Sequence, residues 1–497
     1  MATVTPVADS LADRAHGGGD WWLAKLGEGT REEFDYAPEI EGRLPAGLVG
    51  TLYRNGPGLY ERAGFKKWNL LDGDGMIRAT SFAGGSVRFR TRFVRTKKFE
   101  AEEKAGRFLY PTWTTPAPRR WENIPGYPRL GQAGVTAVVK GGRLYAFDEV
   151  GLPYGLDPAG LETTGLVNPD SEAPAKGPAD YKAHTKTDGE SGDWVLIGTR
   201  GRVKQDLHVL VKDRAGRHKA QVVLPSPRSE AYFHDFFWAG PYAVFLLQPA
   251  LLSPVPMVLG FRSYTDSLRW TPSAGGLLVV VDTSAKRPPL TLEVPAVWMW
   301  HALNAYVAGD RILADFIGYD APDHFLGPDA AFRMIMQERP GLAKSPGMLR
   351  RFTIDLEARK AGMETIAAGH FEFPMPHPGR VGRKHRYGYA AMGDIANDWH
   401  QTGLVRIDVE SGARSEFSFG ADFYVGEPIF APDPAAAADP AATEDRGWIL
   451  AEVLDGKRGK SFLAVFDAAH LEGGPVAKVK LRTHLPMSFH GWWEPAP

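Results

Sequence analysis

The feature that most restricts this chain is a recurring pair of short apolar runs joined by a tight polar turn. "LHVLVKDRAGRHKAQVVL" (Leu207 to Leu224) reads strand, turn, strand. So do "LNAYVAGDRILADFI" (Leu303 to Ile317), "RRFTIDLEARKAGMETIAAG" (Arg350 to Gly369), "GLVRIDVESGARSEFSF" (Gly403 to Phe419) and "GWILAEVLDGKRGKSFLAVFDA" (Gly447 to Ala468). β-Branched residues fill the arms, and Gly, Asp and Ser mark the turns. Sustained 3.6-residue periodicity is nearly absent, and "GPDAAFRMIMQ" (327–337) is the best helix candidate. So many hairpins without βαβ alternation predict an all-β closed fold. A propeller of four-stranded blades takes up this many strands without long exposed edges. The blades share no sharp repeat, so the pattern alone does not count them.

Composition removes several classes of function. With a net charge of -1 there is no basic field to attract nucleic acid. The absence of cysteine excludes disulfides, thiolate metal sites, iron–sulfur clusters and cysteine nucleophiles, and it fits a reducing cytoplasm. The first 22 residues have no basic segment leading into an apolar one, and no run reaches about 18 apolar residues, so neither a signal peptide nor a membrane span is expected. Residues 1–35, polar and Gly-rich, read as an N-terminal arm with one short helix, and 431–447, rich in Ala and Pro, as a surface loop. "LDGKRGKS" ends like a phosphate-binding loop but has Leu454 where the first glycine belongs and sits in a hairpin turn.

The histidines carry the chemistry. His218, His370, His377 and His385 fall in turns or Pro- and Arg-rich loops. His184 ("YKAHTKTD"), His234 ("YFHDFFW"), His301 ("VWMWHALNAY") and His490 ("MSFHGWW") instead sit in or beside apolar, aromatic stretches, separated by 50, 67 and 189 residues. A buried imidazole needs partners for both nitrogens. That spacing suits separate blades each sending one ring to a common axis, not a local zinc-finger site. Four neutral imidazoles leave a divalent ion its charge and one or two open positions. Iron(II) uses such positions for dioxygen, but zinc and copper also accept imidazole, and ligand type alone does not choose among them.

At these residues the chain resembles the carotenoid cleavage oxygenase family, which includes stilbene-cleaving enzymes and a retinoid isomerase. "GTLYRNGPGLY" (Gly50 to Tyr60) and "DGDGM" (Asp72 to Met76) are similar to its N-terminal signature. "YKAHTKTDGESGD", "FHDFFW", "WHALNAY" and "LPMSFHGWW" are similar to its four iron–histidine motifs, in order. The resemblance runs from about Gly42 to Trp493. It implies one seven-bladed propeller over residues 36–497, capped by loops and short helices, with Fe(2+) on the axis. It also implies cleavage of a conjugated carbon–carbon double bond by O2 into two carbonyl products. Glu149 ("YAFDEVG"), Glu372 ("HFEFP") and Glu427 ("VGEPIFAP") match glutamates that accept a hydrogen bond from three of the histidines and so set their tautomers. Asp235, next to His234, reads as a structural hydrogen-bond acceptor rather than a catalytic acid. The family's threonine near the open iron position is Val135 here.

Substrate choice follows from the same resemblance. Stilbene-cleaving members hold a phenol with a tyrosine and a lysine, whose places are taken by Trp113 and Asp148. Neither stabilises a phenolate. Trp113, Val135, Asp148, Phe236, Trp238, Trp298 and Trp300 are the candidates for a substrate tunnel. "AVFLLQPALLSPVPMVLGF" (Ala243 to Phe261) is expected either in the core or as an apolar surface that rests on a membrane. The expected activity is an Fe(2+)-dependent dioxygenase acting with O2 on an apocarotenoid or carotenoid, in the cytoplasm or peripherally on a membrane. One rival is a stilbene or phenylpropenoid dioxygenase on the same scaffold, the other a polyene-binding propeller with a structural metal. Without cysteine there is no thiol for a palmitoyl anchor, which argues against a retinoid isomerase.

Overall fold

Burial runs in a gradient along each hairpin series. First strands such as Phe236–Ala239 are buried at every position, whereas last strands such as Leu290–Val294 alternate buried and exposed. A strand buried on both faces belongs near an axis, and an alternating one at a rim. A computed structural model describes residues 21–124, 130–149, 151–170, 179–201, 204–396, 399–438 and 443–496. In it the strands form seven antiparallel blades arranged as a propeller.

Blade 1 runs from the rim inward as Asp35–Tyr36, Ser86–Phe93, Asp74–Ala83, Gly50–Leu59 and Gly491–Pro495. Blades 2 to 6 follow in chain order, with inner strands Thr136–Lys140, Asp180–Thr187, Phe236–Ala239, Trp298–Ala308 and His370–Pro376. In blade 7 the inner strands Phe423–Val425 and Ile429–Pro432 both pair with Gly447–Asp455, and Glu39–Gly42 pairs at the rim with Ala477–Lys480. The ring is therefore closed twice. An early strand completes the last blade, and a late strand completes the first.

The five hairpins read from the sequence are present, and the 327–337 candidate is a short helix, Ala331–Met334, running into a 3-10 turn, Ile335–Gln337. A 3-10 turn at Trp22–Gly27 buries Leu23 and Leu26 against Tyr60, Leu70, Ile335 and Met336. Of the 431–447 stretch, a 3-10 turn at Pro434–Ala438 is described, and 439–442 lie outside the described residues.

The glycines of the N-terminal signature are set by close approach. A Cβ on Gly75 would lie 2.2 Å from the Ala133 carbonyl oxygen, and one on Gly56 would lie 2.7 Å from the Met487 carbonyl oxygen. Both positions let the blade 1 strands pass against segments that carry site residues.

Candidate metal centre

Regular ladders give way to bulges where the inner strands reach the axis. Pairing slips between Tyr181 and Thr185, on both sides of Ala302, and between Glu372 and Met375. Such bulges re-aim side chains that a regular strand would send elsewhere, and His184, His301 and Glu372 lie at these three. Beyond the last, Phe373 holds φ 56, a strained value for a bulky residue. This turn lets the Glu372 carboxylate accept both the Phe373 N–H (2.5 Å) and the His301 Nδ1–H (2.5 Å). The Phe373 ring stacks on the His301 imidazole.

His184, His234, His301 and His490, all buried, bring one ring nitrogen each within 4.8 Å of one another. On the far side, His234 Nδ1 donates to Glu149 Oε2 (2.6 Å), His301 Nδ1 to Glu372 Oε2, and His490 Nδ1 to Glu427 Oε1 (2.7 Å). A carboxylate only accepts, so each of these rings carries its proton on Nδ1 and turns an Nε2 lone pair inward. His301 Nε2 and His490 Nε2 are 3.2 Å apart, and His184 Nε2 and His234 Nε2 are 3.0 Å apart. The facing lone pairs of His301 and His490 repel at that distance unless a cation sits between them. Burial and the neighbouring imidazoles also drive the pKa values of His184 and His490 well below the ordinary histidine range, so a proton is a poor occupant. The donor set fits a divalent metal bound by neutral nitrogens.

Each glutamate is held by a second donor that sequence reasoning did not name. Tyr232 OH donates to Glu149 Oε1 (3.0 Å), Tyr319 OH to Glu372 Oε1 (3.0 Å), and Arg54 Nη1 to Glu427 Oε2 (3.2 Å). Burial alone would raise the Glu149 and Glu372 carboxyls, but their histidine and hydrogen-bond partners outweigh it and hold both below the usual range. At Glu427 burial prevails over Arg54 and lifts the carboxyl to about 7. Tyr232 was visible inside "YFHDFFW" and Arg54 inside the N-terminal signature, but nothing local marks Tyr319.

The signature's "RNG" clamps the last of the four histidines. Asn55 N donates to the His490 carbonyl (3.0 Å), Phe489 N to the Asn55 carbonyl (2.9 Å), and Arg54 Nη2 to the Phe489 carbonyl (2.9 Å). Asp235 is an acceptor that joins three blades, taking the Phe236 N–H, the Ala302 N–H and the Lys186 ammonium.

Two cavities border the histidines, and His301 and His490 line both. Trp113, Val135, Asp148 and Trp300 line the first, together with His234. Phe236 and Trp238 line the second, together with His184. Trp298 lines neither: fully buried, it stacks on Tyr232 and lies edge-on to Trp300. Trp113 packs edge-on to Tyr264. Asp148 accepts the N–H groups of Gln132 (2.6 Å) and Glu149 (2.9 Å), and burial raises it to about 6. Leu71, Phe325, Phe332, Ile395 and Phe489 make most of the remaining wall of the first cavity apolar.

Residues 27–495 match the family model described as "Retinal pigment epithelial membrane protein". The apocarotenoid-15,15'-oxygenase of Synechocystis sp. is 31% identical, covering 98% of this chain and 99% of that protein. The isoeugenol monooxygenase of Pseudomonas nitroreducens is 27% identical, covering 94% of this chain and 96% of that protein. A crystal structure of the cobalt-substituted Synechocystis oxygenase superposes with a TM-score of 0.87 at 30% identity, covering 96% of this chain and 98% of that one.

Proposed function

This chain belongs to the carotenoid cleavage oxygenase family, and from that premise we propose that it is a non-haem Fe(2+)-dependent dioxygenase of apocarotenoids or carotenoids. One conjugated C=C bond and one O2 give two C=O groups, so both oxygen atoms are consumed in the products. The observation that carries the reading is four inward Nε2 atoms, three of them backed by buried glutamates, opening on an apolar cavity. His184, His234, His301 and His490 are the metal ligands, and Glu149, Glu372 and Glu427 are their positioning partners. When bound, Fe(2+) supplies an open coordination site at which O2 can be activated. The protein's part is to orient the imidazoles, exclude water with Phe325, Phe332 and Phe489, and lay one double bond beside the ring of nitrogens. Residues 36–497 act as one unit, a reading supported by strands from both ends closing the same ring.

The polyene reading is favoured over the phenylpropenoid one by the first cavity. Its wall offers no cation to a phenolate at Trp113 or Asp148, whereas each apolar carbon buried contributes roughly 0.8 kcal/mol before ordering costs. In a competition assay with an apocarotenal, a hydroxystilbene and isoeugenol, kcat/KM should be highest for the apocarotenal by at least about tenfold. Preference for either phenol would overturn the polyene reading and leave the metal site standing.

Access from a lipid surface belongs to the same reading. Of the apolar stretch 243–261, Ala243–Leu247 is buried in blade 4, and only its end emerges. Val255, Val258, Leu259 and Phe261 are exposed there, and Trp121 and Ile124 are exposed on the neighbouring 120–124 segment. Arg120 lies over the Phe261 ring, and Gly260 packs on Asn123, so the two segments form one patch. The chain then runs directly to Tyr264 and Thr265 in the cavity wall. No helix among the described residues is long and apolar enough to cross a membrane, so the contact proposed is peripheral. Cosedimentation with phospholipid vesicles should fall at least about fivefold in the double variant Leu259→Glu/Phe261→Glu, while cleavage of detergent-dispersed substrate is retained. Equal vesicle binding by both proteins would remove the membrane from the account.

A further inference from the structure

His324 and Phe325, Ala343 and Ser345, and His370 are all part of the lining of the first cavity. Most polar atoms there are satisfied within the protein. His370 Nδ1 accepts from Gly347 N and its Nε2 donates to the Trp399 carbonyl, while Ser345 Oγ donates to Asp323 Oδ2. His324 is the exception. Its Nε2 accepts the Trp300 indole N–H at 2.7 Å. An indole N–H only donates, so Nε2 holds a lone pair and the neutral ring carries its proton on Nδ1. That Nδ1–H has no hydrogen-bond partner among the described residues. The Asp323 Oδ1 atom is 4.0 Å away, beyond hydrogen-bond reach, and accepts the Ser345 N–H instead. The ring is only 5% exposed, and burial lowers its pKa to about 4, so it is neutral at physiological pH. A buried, unpaired donor is costly unless something arrives to accept from it.

We propose that His324 Nδ1–H is a specificity-determining donor that holds a neutral terminal oxygen, an aldehyde, ketone or hydroxyl, at one end of the polyene. This rests on the polyene-cleaving reading above and deepens it. A neutral oxygen fits because the ring offers one uncharged donor, while the carboxylates of Asp323 and Glu372 both act on it and would repel an acid. The indole of Trp300 links this donor to the metal centre: its N–H is on His324, and its ring lies edge-on to His234 with centroids 5.1 Å apart. An oxygen held at His324 therefore sets the register of the chain along the cavity, and with it the double bond presented to the four imidazoles.

The test uses the iron-loaded protein, its His324→Phe and His324→Gln variants, and three probes: an apocarotenal, its apocarotenoic acid, and a hydrocarbon polyene of equal conjugation. The parent should prefer the aldehyde to both other probes. His324→Phe should raise KM for the aldehyde about tenfold more than KM for the hydrocarbon, and broaden the lengths of the aldehyde's cleavage products. Glutamine can both accept from Trp300 and donate onward, so His324→Gln should recover most of the preference. An aldehyde-to-hydrocarbon ratio and product set unchanged in His324→Phe would overturn the proposal. A second measurement needs no variant: the aldehyde bound anaerobically to the parent should absorb to the red of its band in hydrocarbon solvent. Absence of that red shift would also overturn the proposal. A red-shifted aldehyde that the parent binds but never cleaves would sink the dioxygenase reading while leaving the donor in place.

Discussion

Replacing His301 with alanine should empty the metal site and abolish turnover. His301 is one of the two rings that border both cavities, and its Nε2 faces that of His490 at 3.2 Å. Loss of a direct ligand should cost more than the about 10–100-fold expected for removing an outer partner. Metal analysis after iron-supplemented expression should find near one iron per parent chain and less than about a tenth of that in the variant. Glu149→Gln, Glu372→Gln and Glu427→Gln form the graded series. Each keeps the shape but loses the charge that fixes the Nδ1–H tautomer, so iron affinity or activity should fall by about 10–100-fold. Full iron in His301→Ala would refute the ligand assignment, and parental iron content and turnover in all three glutamine variants would refute the positioning role.

The second large effect concerns Arg54. Its guanidinium is 1% exposed and reaches the Glu427 carboxylate and carbonyl, Ser488 Oγ and the Phe489 carbonyl, with Glu452 nearby. Arg54→Met keeps the stem but leaves the Glu427 and Glu452 carboxyls without this cation in a buried site. Breaking such a pair costs about 3–5 kcal/mol. Urea unfolding should show a matching fall in midpoint, accompanied by loss of iron because His490 loses its support. Adding Glu427→Gln to Arg54→Met should recover part of the stability, since the two residues share one interaction. A midpoint for Arg54→Met indistinguishable from the parent's would show that the guanidinium does not secure this junction.

The hairpins were legible because each carries its own signal: alternating apolar arms and a turn of Gly, Asp or Ser. The four histidines stood out because an imidazole inside "YFHDFFW" or "VWMWHALNAY" needs an explanation. The number of blades came from resemblance, since the blades do not repeat one another in sequence. What stayed hidden was the side on which each aromatic falls. In blades 1 and 5, residues just before the histidine border the first cavity: Met487 and Phe489 before His490, and Trp300 before His301. Residues just after it border the second: Thr185 to Thr187, Phe236 to Trp238, Ala302 to Asn304, and Gly491 to Trp493. Phe236 and Trp238 therefore follow His234 into the second cavity, whatever their hydrophobicity. That rule requires the direction of each strand along the axis, which no local pattern supplies. Tyr319 and His324 were hidden for a related reason: Tyr319 meets Glu372 only across the contact between blades 5 and 6, and His324 meets Trp300 only where the loop after Arg311–Tyr319 folds back over its own blade.

The double closure of the ring has a consequence for biosynthesis. His490 immediately precedes Gly491–Pro495, the strand that completes the first blade and the last of the described strands to be translated. Six blades can be synthesised while the fourth imidazole is still absent, so a growing chain has at most three of its nitrogen donors. On the proposed ligand set, iron capture would be deferred until the ring shuts, and a partly made protein would lack a complete centre. A metal held by all four imidazoles would favour the closed ring by mass action, because an open ring lacks the fourth donor.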